Sequence, residues 1–105
     1  MLKTNRYVVM VLFNIDNGYT VFADLIGITP CTSDAFYMME SYDHEKVIAA
    51  NYKMHIVEVG RTHKEFGVRN ETQKMYYEER HVFEYLIEGA NEKGSAEVTY
   101  TIFAE

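Results

Sequence analysis

An α+β fold, with one four-stranded, mainly antiparallel sheet carrying two helices on one face, is predicted by three features of the sequence. These are a β-branched and aromatic run that ends in Asn17-Gly18, a three–four spacing of apolar residues in two later segments, and strict alternation near the end of the chain. The predicted order is ββαβαβ, in a single domain over residues 1–105. A chain of 105 residues has the commonest domain size and withdraws about two thirds of its surface from water on folding, which is enough for one interior.

Tyr7-Val8-Val9-Met10-Val11-Leu12-Phe13 reads as the first strand, and Asn17-Gly18 tolerates the positive φ angles of a tight hairpin turn. The second strand, residues 19–28, ends at Gly27-Ile28-Thr29-Pro30, where Pro30 removes a ladder donor and biases Thr29 toward extended backbone. Because the first strand is apolar on both faces, one face is expected beneath helix. The other is expected beneath something else, for instance a second subunit.

Thr32, Ser33 and Asp34 are N-cap candidates for a helix over residues 34–52. Its stripe of Ala35, Met38, Met39 and Tyr42 resumes at Val47, Ile48, Ala49 and Ala50, so a break is expected near Asp43, and strand competes as the reading of 35–42. Residues 53–60 form a predicted third strand with Ile56, Val57 and Val59 as core candidates. Residues 61–70 are expected to be loop, with an extension of strand pairing over 64–68 as the alternative. Met75, Glu79, Val82, Phe83, Leu86, Ile87 and Ala90 follow helical spacing and predict a second helix over residues 72–89. After a loop at 90–95, residues 97–103 alternate as a strand with Val98, Tyr100 and Ile102 on one face.

Sixteen acidic against ten basic residues give a net charge of −6. This opposes the phosphate neutralisation on which direct nucleic-acid binding depends, and favours encounters with basic proteins. Residues 1–32 balance at zero through Lys3, Arg6, Asp16 and Asp24, so the surplus acid belongs to the later chain. On the predicted second helix Glu84 and Glu88 share a ridge that Glu92 prolongs, with Glu78 and Glu79 earlier. Successive members would stand about 6 Å apart, close to the phosphate spacing of a nucleic-acid strand. These five carboxylates are the predicted partner-binding residues, and their partner would be a protein with a basic surface, the chain acting as its inhibitor. The competing reading is a solvated helix face neutralised by Lys74 and Arg80.

Other constellations are weaker. Cys31 precedes a predicted helix start, where a thiol can be activated, but none of His44, His55, His63 and His81 lies in a motif that supplies a base, so an inert Cys is the competing reading. His55, Glu58 and His63 contain metal-ligand types, yet three-residue spacing in a strand puts His55 and Glu58 on opposite faces. Asp24 interrupts an apolar strand, either as an edge charge or as a functional carboxylate. Phosphate-loop, HExxH, GxSxG and CxxC signatures are absent.

No catalytic residue, metal or cofactor is therefore assigned. The expected function is a non-enzymatic, acidic interaction module able to form a homodimer, with abundant Tyr and Met suited to an interface. The alternative is a small enzyme or ligand-binding domain with a pocket between sheet and helices, where Tyr, His and Asp24 orient the ligand. A lone Cys predicts a cytoplasmic protein, and no stretch approaches the ~20 apolar residues of a membrane span. The short apolar run after Arg6 is not followed by a signal-peptide cleavage site.

Overall fold

Among the described residues, period-two alternation governs five segments and three–four spacing governs the two between the second strand and the third. The computed structural model describes residues 6–65, 74–90 and 92–105. Its elements are β1 (Tyr7–Ile15), β2 (Tyr19–Thr29), α1 (Thr32–Ser41), α2 (His44–Tyr52), β3 (Met54–Glu65), β4 (Lys74–Ile87) and β5 (Lys93–Ala104). The strands form one antiparallel sheet in the order β2-β1-β5-β4-β3.

The α+β class stands, but the order is ββααβββ and the sheet has five strands. The expected helix over 72–89 is the strand β4; residues 72 and 73 lie outside the described residues. Here tertiary pairing overrides an ambiguous pattern. Tyr77, His81, Phe83 and Tyr85 share one parity and are all buried, while Val82 and Leu86, which completed the helical stripe, point to the opposite face. The expected loop at 61–70 is likewise strand as far as Glu65, paired to Tyr77 of β4; residues 66–70 lie outside the described residues.

The β1–β2 reversal falls where the sequence places it. Asp16 and Asn17 adopt φ of 47° and 64°, Gly18 follows at 114°, and the Gly18 N–H closes the turn on the Ile15 carbonyl at 3.3 Å. The helical segment breaks near Asp43 as expected. Asp43 is the N-cap of α2, its carboxylate accepting from the Lys46 N–H at 3.1 Å. The N-cap of α1 stands one residue ahead of the three cap candidates. Cys31 is the N-cap and makes no side-chain cap bond, and its own N–H donates to Thr29 Oγ1 at 3.2 Å.

Both helices bury their stripes against the same face of the sheet. Ala35, Met39 and Ile48 meet Val9, Val11, Phe13, Phe83, Val98, Tyr100 and Ile102 in one interior. Four bulges perturb the ladders: each gives one strand an extra residue, Ile26 and Val21 in β2, Val59 in β3 and Tyr76 in β4.

One close packing contact ties the turns together. The Tyr85 ring lies directly over Gly94, its cross-strand partner, and its hydroxyl donates to Asp16 at 2.7 Å. A Cβ at position 94 would stand 2.2 Å from that ring. Gly94→Ala should therefore displace the ring, break the bond to Asp16 and cost about 1–3 kcal/mol, a fall in Tm of several degrees by calorimetry. An unchanged Tm would show that the ring does not need this seat.

Candidate functional site

The alternation that builds the sheet also divides its side chains between a covered face and an open one. On the open face of β1 stand Val8, Met10 and Leu12, beside Leu25, Ala23 and Ile28 of β2 and Phe103, Thr101 and Thr99 of β5. No described element packs across them. Leu25 is 51% exposed and Ile28 48%, and Met10, Leu12, Ala23, Thr99, Thr101 and Phe103 line a shallow depression of about 170 Å³. Toward β4 and β3 the same face becomes charged. There Arg80 stands 3.7 Å from Glu78 and 3.7 Å from Glu97, and Lys64 is opposite Glu78.

On the covered face a polar cluster sits where α1 gives way to α2. His81 is buried, its Nδ1 2.9 Å from Glu58 Oε1 and its Nε2 2.5 Å from Glu79 Oε2. A carboxylate only accepts, so both contacts are hydrogen bonds when the ring carries a proton on each nitrogen. Arg61 braces Glu58 at 3.1 and 3.2 Å, and the Tyr77 hydroxyl donates to Glu79 at 2.8 Å. His44, brought in by the break at Asp43, places Nδ1 2.5 Å from the Tyr100 hydroxyl, which lies 3.3 Å from the Tyr42 carbonyl. Donation from Tyr100 to that carbonyl leaves its oxygen to accept from His44, so one proton arrangement satisfies all three atoms.

The electrostatics follow from burial and pairing. Burial, then the neighbouring His81 ring, push His44 down to about 4, so it is neutral near pH 7. The hydrogen bond with His81, supported by Arg61, holds Glu58 below the usual carboxylate range. Burial pulls Glu79 upward, yet its bonds with Tyr77 and His81 outweigh this and leave it lowered. Burial raises Tyr100 above the ordinary phenol. His44, Glu79 and Tyr100 border a cleft of about 230 Å³ that Met39, Tyr42, Arg61 and His81 also line.

The residues singled out in the sequence are dispersed. Glu79 turns inward to His81; Glu78 and Glu84 lie on the open face; Glu88 and Glu92 are exposed near the β4–β5 turn, Glu88 with its carboxylate 3.9 Å from His55. The helical ridge that would have aligned them does not exist, because β4 is extended. Asp24 is exposed on the edge strand β2, its carboxylate accepting from the Leu25 N–H, and does not line the cleft. Cys31 is exposed, and its hydrogen bond with Ser33 lowers its pKa. His55 and Glu58 occupy opposite faces, and no group of three His, Cys, Asp or Glu among the described residues could hold a metal ion. Nor is any described helix long and apolar enough to cross a membrane.

The His44–Tyr100 and Glu58–His81–Glu79 groupings escape the sequence reading, and one signal for them exists. His81 and Glu79 share the parity of Tyr77, Phe83 and Tyr85, so polar residues stand in an apolar series. No protein family, curated protein or solved structure matches the chain.

The cluster makes folding pH-dependent with a defined sign. Between the ordinary histidine value of 6.5 and about 4 the unfolded chain takes up a proton that His44 refuses in the fold, so stability falls as pH falls. Below about 4.5 the lowered Glu58 and Glu79 add a loss of the same sign. Urea melts from pH 7 to 4.5 should show declining stability, by at most about 1.4 kcal/mol per pH unit for one proton and less for a partly solvated ring. His44→Gln should flatten the limb above pH 4.5. A wild-type profile already flat there would contradict this reading.

Proposed function

We propose that the chain is a protein-interaction module that docks another protein chain on the open face of its sheet. The observation that carries this reading is the contiguous apolar surface of Val8, Met10, Leu12, Leu25, Ile28 and Phe103, uncovered among the described residues. Contiguous apolar surface of this kind marks an interaction site when the rest of the surface is polar. The cleft supports a ligand-binding reading less well. Both ring nitrogens of His81, both oxygens of Glu79 and the Tyr100 hydroxyl are already engaged with protein groups, which leaves few of its buried polar atoms to orient a ligand.

The test is whether the face tolerates charge. Met10→Lys combined with Leu12→Lys should leave a chain that keeps its far-UV circular dichroism and still melts cooperatively, because two ammonium groups on a free face remain in water. Loss of the cooperative transition would place these positions in the interior and remove the docking surface.

A second surface is proposed for a basic protein partner at the β4–β5 turn, favoured by the exposure of Glu88 and Glu92 there, with Glu84 at the same end of the sheet on the rim of the open face. Replacing all three by Gln should lower the salt concentration that elutes the chain from a polylysine column by more than amides at Asp24, Glu40 and Glu45 do. Equal shifts would reduce the effect to net charge alone.

A further inference from the structure

We propose that the occupant of the open face is a second copy of this chain, packed sheet on sheet about a two-fold axis running across the strands; this rests on reading that face as a docking surface. Charge selects the occupant. Among the described residues the face carries Glu78, Glu84 and Glu97 against Lys64, Arg80 and Lys93, and so is balanced, whereas the whole chain carries −6. A basic partner is drawn to the acidic remainder, while a second copy meets this chain on a side where like charge does not accumulate.

Area fits as well. Five strands spaced ~4.8 Å apart, over about nine residues at ~3.3 Å, present about 700 Å², close to the ~800 Å² that each partner buries in a standard stable interface. An axis across the strands lays β1 over β1 of the partner, apolar surface on apolar surface, in the aligned packing of a β-sandwich. Set between the Met10 and Leu12 levels, it brings Glu78 opposite Arg80 of the partner subunit, since Met10 and Glu78 share one level and Leu12 and Arg80 the next.

Sedimentation equilibrium tests this on the full chain. The wild type should weigh twice the 12.3 kDa chain mass, and Met10→Lys with Leu12→Lys should weigh the chain mass alone. Glu78→Arg and Arg80→Glu should each weaken the dimer by about tenfold, and the two together should restore it. A wild type that stays monomeric at the concentrations of an NMR sample overturns the proposal, as does a dimer unaffected by the lysine pair. Neither result touches the docking surface itself, which stands or falls on whether the lysine variant folds. Failure of the double charge reversal to restore the dimer overturns the axis.

Discussion

A β-strand sends successive side chains to opposite sides, and in this chain the two helices supply cover for only one of them. β1 lies inside the sheet, paired with β2 and with β5, and is apolar on both parities. Val9, Val11 and Phe13 enter the interior with Ala35, Met39 and Ile48; Val8, Met10 and Leu12 cannot, because α1 and α2 both lie on the other side. The ten and nine residues of the helices span little more than one layer over a five-stranded sheet, so the asymmetry is built into the element order.

Some of this is legible in the amino acids. Asn17-Gly18, the alternation of Val98, Tyr100 and Ile102, and the polar interruption at Asp43 are local signals, and each predicts what is observed. β4 is not legible in the same way. A strand apolar on both faces offers Val82 and Leu86 on one side with Phe83 and Ile87 on the other, and these four positions also satisfy a helical stripe. Glu79 and His81 disguise the alternation further, since polar residues at core parity look like solvent positions. Their justification is non-local: the partner of His81, Glu58, lies on β3, 23 positions earlier in the chain.

The extended backbone of β4 has a direct functional consequence. Helical geometry would have collected Glu84, Glu88 and Glu92 on one ridge, whereas extended backbone separates them and turns Glu79 inward. That inward turn gives the covered face its polar cluster, where the buried His81 ring is held between the carboxylates of Glu58 and Glu79 rather than standing alone. The arrangement places pH sensitivity beneath the helices and apolar surface on the far side, so the two properties can be altered separately.

The bulges bear on how association ends. Both outermost strands are interrupted, β2 at Val21 and Ile26 and β3 at Val59, and an irregular border is a poor template for adding further strands. Lateral growth into fibres is thereby discouraged. In the proposed dimer, once the flat side is occupied the helices present no equivalent to it, so the asymmetry that leaves that side uncovered among the described residues would also close the assembly at a pair.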